Sequence, residues 1–190
     1  KKAVQPAFSI DDLGKIEYFP GGSEKTPVTT VGGVEDGEVT ITVPANNNVI
    51  ALDEDGCFTM LNAGTVTITA VCVDPYGNYE DATATYELTI LPYELKAHQI
   101  IWEDGVTGAE TYDGTAKEPA IWMYMITGPL TEGTEYTVTY VNNIDVYTLT
   151  EADAGFDASK APAVVVTGKG NYTGTVKKYF VINKANASIA

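Results

Sequence analysis

Runs in which every second residue is Val, Ile, Leu, Tyr or Phe constrain this chain more than anything else in it. EVTITVP (Glu38 to Pro44), GTVTITAVCV (Gly64 to Val73), ATATYELTI (Ala82 to Ile90), EYTVTY (Glu135 to Tyr140) and AVVVTG (Ala163 to Gly168) all alternate with period two. Gly-, Asn- and Pro-bearing turns separate them, and no helical period intervenes. Such a pattern predicts antiparallel strands with one buried face. Strands recurring at this spacing predict a β-sandwich.

The chain has 190 residues, open on length alone to one large sandwich or two domains of roughly 90 to 100 residues. Charge excludes more. There are 26 Asp and Glu against 11 basic residues, all of them Lys, giving a net charge of −15. That field repels nucleic-acid backbones and anionic membranes, and with no Arg the usual bidentate reader of phosphate and guanine is missing. Neither nucleic-acid binding nor direct membrane insertion is expected, because no apolar run nears the ~20 residues that span a bilayer. The sequence begins at Lys1-Lys2 and ends in polar NKANASIA, as expected of a piece of a longer protein.

In the first half, an edge strand is expected within residues 1 to 17, followed by turn chemistry in FPGGSEKTP (Phe19 to Pro27). Ile50 and Leu52 share a face, as do Phe58 and Met60, and Val66, Ile68 and Ala70. By the same parity Cys57 points outward and Cys72 inward, which opposes a disulfide and makes Cys72 a small core hydrophobe. The acidic turn Asp53-Glu54-Asp55-Gly56 lacks the spaced ligands and distal Glu of an EF-hand loop, so a solvated turn is expected there. NNNVIALDEDGCFTMLNAGTVTITA resembles the bacterial immunoglobulin-like repeats of surface proteins such as intimins, over roughly residues 38 to 73.

Leu91-Pro92-Tyr93 ends the last strand of this half, and a new strand is expected from Leu95. The domains are therefore drawn at 1–92 and 93–190, with a short linker. In the second half, Tyr112-Asp113-Gly114, Glu132-Gly133-Thr134, Tyr136, Val138, Tyr140, Asn142-Asn143 and GKGNYTG (Gly168 to Gly174) recur in order. These elements resemble the Tyr-Asp-Gly type of Ig-like repeat found in tandem in large bacterial cell-surface proteins. That resemblance implies that Tyr136, Val138, Tyr140, Val164, Val166, Phe180 and Ile182 face the core, and that Tyr172 plugs one end. The pattern breaks after Asn143, where an acidic insertion near 145–161 carries Glu151, Asp153 and Asp157. It is roughly ten residues more than such a repeat needs and is expected to lengthen a hairpin, although loops are also where binding residues collect.

Residues for catalysis are few. His98 is the one histidine and has no partner set for a triad or zinc site, and GKGNYTG lacks the Lys-Ser/Thr of a phosphate loop. No cofactor, metal or catalytic residue is expected, and the chain reads as a non-enzyme. In IWMYM (Ile121 to Met125) the register implied by the resemblance points Ile121 and Met123 inward, leaving Trp122 and Tyr124 outward. Three roles stay open for this pair: a sugar-stacking platform, packing against a neighbouring domain, or a second small core under a loop. The expectation is two tandem Ig-like β-sandwiches in an all-β, extracellular, bacterial cell-surface protein. Its function would be structural or adhesive, with neighbouring Ig-like domains of the same chain and a host or polysaccharide ligand as partners. The alternative is a carbohydrate-binding accessory module.

Overall fold

A computed structural model describes residues 1–19 and 25–186, so most of the expected FPGGSEKTP turn lies outside the described residues. The protein is all-β, and the chain divides into two compact units, Lys1–Tyr93 and Glu94–Ala190.

The first unit is built on its two longest alternating runs. Strands Gly64–Val73 and Ala82–Leu91 form an antiparallel hairpin, in register from Gly64↔Ile90 to Cys72↔Ala82. Glu38–Thr42 pairs antiparallel on the outer side of the first, and Lys15–Glu17 pairs parallel with the second. Facing this sheet, Thr26–Pro27, Cys57–Met60 and Ile50–Leu52 form a second one, while Phe8–Ile10 pairs with Thr30–Gly32. The opening segment thus contributes two short strands, one paired with Thr30–Gly32 and one added to the four-stranded sheet, where one edge strand was expected. Two facing layers, with a split opening segment whose second strand pairs parallel with the last strand, are an immunoglobulin-like strand order. Ile50, Phe58, Ile68, Leu88 and Ile90, each 1% exposed or less, fill the space between the layers. Each such side chain contributes about 1.5–3 kcal/mol by leaving water.

The second unit repeats that order with one replacement. Tyr136–Val141, Ala163–Gly168 and Thr175–Tyr179 form an antiparallel sheet, and the last strand continues as Val181–Asn183, paired parallel with Ala109–Thr111. The opposite layer holds Ile100–Trp102, Ile121–Met125 and Gly128–Pro129. Tyr136, Val164, Val166, Tyr172, Phe180 and Ile182 are buried, whereas Val138 and Tyr140 are half-buried. The strand expected from Leu95 starts later. Gln99 caps a 3-10 turn, Ala97–Gln99, its Oε1 accepting from Lys96 N at 2.7 Å, so His98 sits on that turn and not on a strand.

The acidic insertion departs from expectation. Residues 43–63 in the first unit and 142–162 in the second bridge equivalent strands, and the two segments are equally long. The first folds into two strands of the facing layer. The second does not lengthen a hairpin: it lies back on the final strand, Tyr147 and Ile182 exchanging main-chain hydrogen bonds of 3.0 and 2.9 Å. Phe180 N donates to Pro162 O at 3.0 Å on the same side of that strand, so Tyr147 extends the sheet edge where strand Ala163–Gly168 has stopped. Phe156 then stacks edge-on to both Tyr147 and Tyr179, with centroids 6.2 and 5.1 Å apart.

Candidate functional site

Trp122 and Tyr124 stand on the central strand of the three-stranded layer of the second unit. Alternation sends Ile121, Met123 and Met125 inward, each 8% exposed or less, and leaves Trp122 and Tyr124 38% and 46% exposed. Register adds two neighbours that the sequence alone did not single out. Ile101 lies directly opposite Trp122, and Pro129 directly opposite Tyr124, so all four share the outward face. Ile101 is 36% exposed, and Ile126, just past the strand end, is 88% exposed. Pairing was the signal needed to find them, across Ile100–Trp102 for Ile101 and through the turn at Ile126-Thr127 for Pro129. The result is a largely apolar face with no Asp, Glu, Lys or His among its members, suited to stacking on another flat surface.

Trp102, three residues from a glycine turn, is used otherwise. Its ring meets Phe180 edge-on at 6.4 Å, and Lys178 Nζ lies 5.0 Å from the ring centroid while donating to Ile100 O at 2.7 Å. Partial burial pushes the Lys178 ammonium down from its ordinary value. Gly108 comes so close that a Cβ there would sit 2.6 Å from Trp102 ring atoms, and its φ is +69°. Trp102 is therefore a structural anchor.

The insertion's acids serve its own turns. Asp153 Oδ2 accepts from Thr150 N and Oγ1 at 2.8 and 2.7 Å, and Asp157 Oδ1 accepts from Ser159 N and Oγ at 3.0 and 2.6 Å. These bonds hold both carboxyls below their ordinary values. Tyr147 Oη accepts from Asp157 N at 2.7 Å, which ties the segment together. Glu151 remains exposed, as do Ile144, Val146 and Leu149.

The acidic turn of the first unit is likewise organised by its own backbone. Asp53 Oδ1 accepts from Asp55 N and Cys57 N at 3.1 and 2.8 Å, and its Oδ2 pairs with Lys25 at 2.6 Å, so the Lys25 ammonium and the backbone hold the carboxyl below the usual range. Among the described residues no group of three His, Cys, Asp or Glu is arranged to hold a metal ion. Cys57 is half-buried and Cys72 buried, and both thiols are free. Among the described residues no helix is long and apolar enough to cross a membrane.

No family model matches the sequence, and no curated protein matches it. Comparison with solved structures finds extracellular cadherin domains 3–6 of protocadherin gamma B2, at 14% identity and a TM-score of 0.33, covering 93% of this chain and 46% of that one. Immunoglobulin domains 1–4 of sidekick-1 match at 12% identity and a TM-score of 0.29, covering 94% and 52%. The chain thus spans about half the length of these structures, and its Ig-like assignment rests on its own strand order.

Proposed function

We propose that this chain is a non-enzymatic, load-bearing Ig-like module of a larger extracellular protein on a bacterial surface, serving as a stalk or adhesive segment. The parallel pairing of an early strand with the last strand in each unit carries this reading. Lys15–Glu17 runs alongside Thr89–Leu91, and Ala109–Thr111 alongside Val181–Asn183. Parallel neighbours run in the same direction, so the chain enters each unit at one end and leaves at the other. Tension between the ends then shears several ladder hydrogen bonds together. The resemblance to tandem surface repeats, the strongly acidic all-Lys composition and the scarcity of nucleophiles and bases support the extracellular, non-catalytic part. Brief protease treatment of intact source cells should release peptides of this chain. Release only after lysis would contradict the surface location.

A second reading is favoured by the apolar face at Trp122 and Tyr124, a carbohydrate-stacking platform in an accessory module. A glycan array probed with the wild-type chain and with Trp122→Ala distinguishes the two. Binding that falls at least tenfold in the variant supports the platform. No binding, or binding indifferent to the substitution, removes it and leaves the stalk reading intact.

A further inference from the structure

The main layer of the first unit ends on strand Glu38–Thr42, which pairs with Gly64–Val73 along one side. Among the described residues, no main-chain hydrogen bond is made by its other side. Sheet edges are ordinarily blunted by Lys, Pro, a bulge or a covering loop. Here the sequence is Glu-Val-Thr-Ile-Thr, paired one-to-one from Glu38↔Val73 to Thr42↔Thr69 without a bulge. The equivalent edge in the second unit is partly used. Tyr136 O accepts from Gly133 N at 2.7 Å, and beyond the strand Asn143 exchanges hydrogen bonds of 2.7 and 3.0 Å with Lys117.

Beside the open edge runs a groove of about 390 Å³, lined by Val39, Thr40, Ile41 and the turn Asp53 to Gly56. Val39 pairs with buried Cys72 and shares its face, yet is 42% exposed, so an apolar side chain is left open at the mouth of the sandwich. Glu54 and Asp55 are exposed in its lining, Asp53 is occupied by Lys25, and Glu38 is exposed on the opposite face of the same strand. Backbone donors and acceptors, an apolar contact and a rim of negative charge are what a strand bearing basic side chains would meet.

We propose that this edge takes an extended, lysine- or arginine-rich polypeptide segment as an added strand, seated between Glu38–Thr42 and the acidic turn Asp53–Gly56. Val39 packs against one of its alternate side chains, and Glu38, Glu54 and Asp55 pair with the basic ones. A second copy of this chain is a poor occupant, because a net charge of −15 on each would set acid against acid. The site is separate from the Trp122 face and does not depend on the stalk reading.

The test is an amide-resolved NMR titration of the whole 190-residue chain with an alternating Lys/Val heptapeptide. Three additions accompany it: an alternating Glu/Val heptapeptide, the Lys/Val peptide N-methylated at its central backbone amides, and the Glu54→Lys/Asp55→Lys variant. Shifts confined to Glu38–Thr42 and Asp53–Gly56, with affinity at least tenfold weaker in all three additions, are expected. Absence of binding, shifts spread over the acidic surface, or equal binding by the N-methylated peptide would overturn the proposal, the last by reducing it to unspecific charge attraction.

Discussion

Two tyrosine and glycine positions decide more than their neighbours do. Tyr86 Oη donates to Asp12 Oδ1 at 2.7 Å and accepts from Leu13 N at 3.1 Å, pinning the crossing between the two opening strands to the last strand of the first unit. Tyr86→Phe should cost about 1 kcal/mol in chemical denaturation, the worth of the bonds lost. Gly108→Ala combines positive φ with a clash on Trp102 and should cost about 2–4 kcal/mol, read in the same assay. Asp74 is a third decisive residue. Its buried carboxylate accepts from the backbone N–H groups of Tyr76, Asn78 and Tyr79 at 2.9, 2.6 and 3.0 Å, which holds its pKa down. A depressed folded value means the stabilisation is fully present above the unfolded value of about 4 and is lost as pH falls through the folded one. The thermal midpoint should therefore drop on acidification below pH 4. In Asp74→Asn the midpoint should start lower at pH 7 and fall less steeply.

At the scale of elements, the long alternating strands were legible because parity alone places Val66, Ile68, Ala70 and Cys72 inside. In the all-apolar run Ile121–Met125 parity sets only the alternation, and the register that leaves Trp122 and Tyr124 outward comes from the resemblance to surface repeats. What stayed hidden depends on contacts distant in sequence or on side-chain caps. Ala97–Gln99 continues an alternating run, but the Gln99 amide coils it into a turn. The insertion looks like polar loop, since its anchors Tyr147 and Phe156 are isolated aromatics whose partners Ile182 and Tyr179 lie far along the sequence. Phe156→Ala should cost about 2 kcal/mol, below the range for a fully buried Phe because this ring is half-buried. Hydrogen exchange should rise over residues 145–161 and at Ile182, while the amides of Gly64–Val73 keep their protection. Unchanged exchange in the insertion would contradict its docking.

For the whole molecule, two compact units each carry a parallel pairing of an early strand with the last one. Between those pairings lie residues 16–90 in the first unit and 110–182 in the second, nearly equal lengths of chain. Pulling the chain by its ends in a single-molecule force experiment tests the load-bearing reading directly. At ~3.5 Å per extended residue, two separate unfolding events are expected, each lengthening the chain by about 25 nm. Both should need forces well above those that peel a hairpin apart one bond at a time. Replacing Ile16 with proline, which removes an N–H from the first ladder, should weaken one event and spare the other. One event of about twice that length, or smooth extension at low force, would contradict the account of two Ig-like units built to carry tension.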